Sequence, residues 1–147
     1  KVIQWMEIQE EKVREEALQL GMTYLRNWGK YGYPTWYEWS IANWGTKWNA
    51  FNQNFEEPNV LWFDTAWAGV PLLIQTLSEK FPDIEFLYAY ADEDLGSNVG
   101  KGIIRNGETD MTFPDDGSNE AFEILFFVKP ELKEYLELTD EGYRWKA

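Results

Sequence analysis

The stretch from Asn43 to Trp67 constrains the fold more than any other part of the chain. It holds NWGTKWNA (Asn43 to Ala50), a link, and VLWFDTAW (Val60 to Trp67), and four of the nine Trp fall inside it. Both runs alternate with the period of two that strands require. Thr46, Trp48 and Ala50 oppose Lys47, Asn49 and Phe51; Leu61, Phe63, Thr65 and Trp67 oppose Val60, Trp62, Asp64 and Ala66. With a loop around Asn54 to Asn59 between them, the runs predict an antiparallel hairpin at the aromatic centre of a small domain. A chain of 147 residues can bury one core, and the abundance of Trp predicts a large aromatic one. Trp36, Trp39, Trp62 and Trp67 are expected in that core, the alternative being platforms that stack bases or sugars.

The flanking sequence supplies helices. Val13, Ala17, Leu20, Tyr24 and Trp28 recur at spacings of three and four among charged residues, which predicts an amphipathic helix over 7–28, ended by Gly29, Gly32 and Pro34. A short helix follows from Trp36 to Asn43. Pro71 opens a helix that lasts to about Lys80, where Pro82 prevents continuation. Ile84 to Ala91 alternates as a strand and pairs with a glycine-containing strand from Val99 to about Glu108. Gly100, Lys101 and Gly102 lack the spacing of a phosphate-binding loop and read as a glycine-tolerant strand. Helices are expected over 118–138, divided at Pro130. Antiparallel strands with helices laid on one face give an α+β class. The chain reads as one domain over 1–147 with a core at about 35–108. A βαββαβ order needs one more strand before the first helices, and a chain beginning at Lys1 leaves that strand upstream or replaced by another element.

Four motifs occur in order: NWGTKWNA, FDTAW (Phe63 to Trp67), the pair Phe81 and Pro82, and YADEDLGSNVG (Tyr90 to Gly100). Together they closely resemble the YubB-type ferredoxin-like domain of phage, plasmid and integrated-element proteins, over roughly Trp39 to Gly107. The resemblance implies a ferredoxin-like sheet and a mobile-element setting, and carries no activity residue by residue.

Charge narrows the function. Thirteen Lys and Arg stand against 26 Asp and Glu, a net −13, and the excess grows toward the C-terminus. Direct binding to a phosphate backbone is disfavoured, because it needs basic side chains to release counterions. A basic protein partner is compatible with it. Without His, imidazole bases and the Ser-His-Asp triad are excluded; without Cys, so are thiolate nucleophiles and disulfides, which fits a cytoplasmic setting. No apolar run is long enough for a membrane helix.

Two groups of side chains are candidates for a site. Asp92, Glu93 and Asp94 with Asn98 offer oxygen ligands for a divalent cation, or a turn in which Gly96 and Asn98 take positive φ. A catalytic role would require a pair such as Asp64 and Asp92 to meet with one pKa raised. Lys47, flanked by Trp44 and Trp48, can rest its ammonium on an indole, as a clamp on the hairpin or an anchor for a ligand. The leading expectation is a non-enzymatic domain whose acidic surface binds a basic host or defence-system protein, with no cofactor. The alternatives are a metal-dependent or small-ligand enzyme using Asp92 to Asp94, and a homodimer formed through an exposed edge strand.

Overall fold

The computed structural model describes residues 2–139 and 142–146, and its contacts fall into two compact units, 1–42 and 43–147. The first unit is helical. Helix α1 (Val2–Tyr31) is longer than the predicted 7–28, because Gly29 is tolerated within it at a cost of about 1 kcal/mol and Gly32 is where it ends. Gly32 takes φ +77 and donates its N–H to the Trp28 carbonyl at 2.9 Å, the left-handed closure that glycine permits. Val13, Leu20, Tyr24 and Trp28 lie exposed along α1. Helix α2 (Trp36–Trp44) opens on Thr35, whose hydroxyl accepts the Tyr37 N–H at 3.2 Å and donates to Glu38. This reciprocal cap holds the Glu38 carboxyl below its usual pKa.

The second unit begins with a hairpin of β1 (Phe51–Glu56) and β2 (Val60–Asp64), paired antiparallel with an irregularity between Phe51 and Asn54. The expected strand over Thr46 to Phe51 is corrected: Thr46 to Ala50 run as loop, and pairing starts at Phe51. Gly45, at φ +75, turns the chain, and the buried Thr46 hydroxyl donates to the Ala66 carbonyl at 2.9 Å, tying this segment to the far end of the hairpin.

Next come α3 (Pro71–Lys80), β3 (Phe86–Ala91), β4 (Val99–Arg105) and β5 (Glu108–Thr112). The three strands form an antiparallel sheet in the order β3-β4-β5. The expected single strand from Val99 to Glu108 is two strands, because Asn106 and Gly107 both take positive φ, +47 and +79, and reverse the chain in a two-residue turn. Helix α4 (Asn119–Val128) is capped by Ser118, whose Oγ accepts the Ala121 N–H at 3.1 Å. A 3-10 turn (Pro130–Glu134) follows, then β6 (Leu136–Thr139) and β7 (Gly142–Trp145), a hairpin where helix was expected through 138. Leu136 and Leu138 alternate in the strand period, and Leu136 is buried against Phe122 and Leu125 of α4.

The class is α+β with antiparallel sheets, and the helices cover both faces of the three-stranded sheet where sequence expects one. Val70, Leu73 and Ile74, at and inside the start of α3, pack on Tyr88 and Ile104; Ala121 and Ile124 of α4 pack on Val99 and Ala91, which point the other way. Strand β3 carries apolar residues at both parities, Phe86, Tyr88 and Tyr90 against Leu87, Ala89 and Ala91, so each face has surface to bury. The core is small, with Val70, Ile104 and Leu125 its largest fully buried hydrophobic side chains. The expectation of Trp36, Trp39, Trp62 and Trp67 as core is corrected: Trp39 is half-buried, and the other three are exposed by 64%, 36% and 61%. No helix among the described residues is long and apolar enough to cross a membrane.

Candidate functional site

The two groups of candidate residues meet at Trp67, which sequence reading places in the core. Trp67 follows β2 and takes φ +74, a backbone that bulky side chains rarely adopt and that occurs at functional sites under strain. Several contacts impose it. The Thr46 hydroxyl holds the Ala66 carbonyl just before it. Gly69 just after it lies on the Tyr90 ring so closely that a Cβ there would sit 2.3 Å from the ring. The Trp67 carbonyl itself accepts a long 3.4 Å hydrogen bond from the Asn98 side-chain amide.

Because Thr46 is tied to Ala66, its neighbour Lys47 reaches Trp67. The Lys47 ammonium lies 3.8 Å from the centroid of the Trp48 ring and 4.2 Å from that of Trp67. Contact with Trp48 is as sequence reading frames it, whereas Trp67, 20 residues away, supplies a second ring it does not foresee. Trp44 closes α2 and is half-buried. Asp64 turns to the hairpin irregularity, where Asn52 at φ +50 donates its side-chain amide to the carboxylate at 2.7 Å.

Asn98 carries the connection into the acidic loop. Its amide also donates to the Asp92 carboxylate at 2.7 Å, and its backbone N–H donates to Asp116 at 3.2 Å. Gly96 and Asn98 take φ +74 and +45, the geometry of the turn reading, and the Ser97 N–H closes it on the Asp94 carbonyl at 2.9 Å. The other Asp92 oxygen accepts the Glu93 N–H at 2.5 Å, and the Asp92 carbonyl accepts the Lys129 ammonium at 2.8 Å. Partial burial opposes ionisation of Asp92, but hydrogen bonds from Asn98 and from the Glu93 and Asp94 N–H groups, with the Lys129 charge, outweigh it and lower its pKa. Glu93 and Asp94 are exposed. Among the described residues no three carboxylates converge as metal ligands, and Asp64 and Asp92 each have a separate amide partner. The resulting arrangement is an acidic loop joined through Asn98 to a lysine held by two exposed indoles.

The basic side chains of this unit complete its electrostatics. Lys101 lies 3.5 Å from the Phe127 ring centroid, Arg105 donates to the Pro82 carbonyl at 3.4 Å, and Lys146 donates to the Glu134 carbonyl at 2.7 Å. With Lys47 and Lys129, five cations of the unit face rings and carbonyl oxygens. Of its 18 described carboxylates only Asp92 is half-buried; the other 17 are exposed.

The chain belongs to the family described as the ferredoxin-like domain in Api92-like protein, whose model matches residues 43–134. The match lies within the second unit and contains the whole site. The succession β2-α3-β3-β4-β5-α4 lies within the matched residues, and β6, which completes a βαββαβ order with β5 added between β4 and α4, follows just beyond them. No curated protein and no solved structure matches the chain.

Proposed function

We propose that this member of the ferredoxin-like family of Api92-like proteins is a non-enzymatic protein-interaction domain, carried by a phage, plasmid or integrated element, whose acidic surface binds a basic host or defence-system protein in the cytoplasm. One observation carries the reading. The second unit holds 20 acidic and eight basic residues, a net −12 of the chain's −13, and five of the eight cations are turned to aromatic rings and carbonyl oxygens. Its exposed carboxylates therefore present an acidic field to solvent. Such a field steers a basic partner and repels a phosphate backbone. The mobile-element setting rests on the resemblance of the four ordered motifs to YubB-type domains. The acidic loop supports metal chemistry less well, because Asp92 commits both carboxylate oxygens to Asn98 and the Glu93 N–H.

The test is capture from a bacterial lysate on the tagged protein at about 0.05 M and about 1 M salt, where the Debye length falls to about 3 Å. A basic protein retained only at low salt, and lost when Asp115, Asp116, Glu120 and Glu123 are replaced by Lys, is the expected result. Capture indifferent to salt and to these replacements overturns the proposal.

A further inference from the structure

We infer that Trp48 and Trp67 form a two-walled aromatic cage for the guanidinium of an arginine on the basic partner, and that Lys47 is an internal occupant which this arginine displaces. The inference deepens the proposed function and rests on it. The geometry is that of cation recognition: one ammonium lies within 3.8 Å and 4.2 Å of two indole centroids, inside the range where a ring quadrupole attracts a cation. Both walls remain open to solvent, Trp48 exposed by 46% and Trp67 by 61%, so a second cation has access. The wall at Trp67 is preset. Its left-handed backbone lies between the Thr46 bond to Ala66 and the Asn98 bond to its own carbonyl. Strain retained at an exposed aromatic residue is common where a side chain must be presented to a ligand.

Charge selects the occupant. Asn98 bridges the Trp67 backbone carbonyl to Asp92, which ties the acidic loop to the backbone of the Trp67 wall, and the next two carboxylates of that loop, Glu93 and Asp94, are exposed. Lys47 is a compact, strongly hydrated charge on a flexible stem, whereas a guanidinium is planar, weakly hydrated and stacks on indoles. An arginine therefore gains more from the two rings than Lys47 loses by returning to water. Lys47 keeps the cage filled in the free protein and sets a threshold for binding.

Arginine amide acetylated at its α-amino group is titrated into nitrogen-labelled protein while the indole N–H signals of Trp48 and Trp67, assigned with Trp48→Phe and Trp67→Phe, are followed; citrulline amide acetylated in the same way is the uncharged control. Both signals should move with arginine amide and stay still with citrulline amide. Lys47→Met should lower the midpoint about two- to five-fold, the value of one exposed cation–π contact, and Lys47→Arg should raise it. Signals that do not move in folded wild type and Lys47→Met overturn the cage, and if Lys47→Met does not fold, an unchanged midpoint in Lys47→Arg overturns it equally. A salt-sensitive basic partner held undiminished by Trp48→Ala protein would sink the cage and leave the acidic-surface reading standing. Arginine-amide binding without any salt-sensitive partner would sink that reading alone.

Discussion

Asp92 stands apart from the exposed carboxylates around it because an amide, two backbone N–H groups and a lysine favour its charge. Its folded pKa lies below the usual 3.8, so the stabilisation it provides is complete above that value and is lost as pH falls through the folded pKa. Asn98→Ala removes one of those donors and should move the Asp92 pKa upward, shifting the acid limb of stability toward higher pH; a carboxyl-carbon NMR titration of the two proteins reads the shift directly. An unmoved Asp92 would mean that the backbone donors alone hold the charge. At this scale the acidic loop was legible, since Asn and Gly after a run of carboxylates signal a turn. Trp67 was not. Alternation puts Trp67 in line with Leu61 and Phe63 as a strand residue, and no local pattern reveals that its backbone turns left-handed two residues before Gly69.

Among the elements, the β4-β5 pair depends on one glycine. A Cβ on Gly102 would lie 2.0 Å from the Asp110 carbonyl oxygen and 2.6 Å from the Met111 Cα, and backbone atoms cannot step aside as a side chain can. Gly102→Ala should therefore cost about 3 kcal/mol or more, seen as a lower urea midpoint with an unchanged m-value. A change within about 0.5 kcal/mol would show that the strands can separate without loss. Helix α3, the paired strands and the start of α4 follow from periodicity, proline and caps, which are local. The two hairpins of the later chain were less visible. Asn106-Gly107 is a strong turn signal that a continuous reading of Val99 to Glu108 overrides, and Leu136 to Thr139 is too short to distinguish from the end of a helix by period alone.

For the whole molecule, charge dominates. A net −13, concentrated in the second unit, makes the folded chain repel itself. Raising salt from about 0.01 M to about 0.15 M shortens the Debye length from about 30 Å to about 8 Å, so the melting temperature should rise over that interval in a calorimetric scan. A melting temperature that falls with salt would show that attractive pairs outweigh the repulsion. The α+β class, the antiparallel β3-β4 pair, the span of α3, the acidic balance and the exclusion of imidazole and thiolate chemistry all follow from the residues read in order, because each is set by local periodicity or by the residue types present. Tertiary structure alone decided that α3 and α4 cover opposite faces of the sheet, that most of the Trp face solvent, and that Thr46, Lys47, Trp67, Asn98 and Asp92 form one connected site. Those outcomes depend on which segments approach across tens of residues, and a chain read in one dimension does not contain that information.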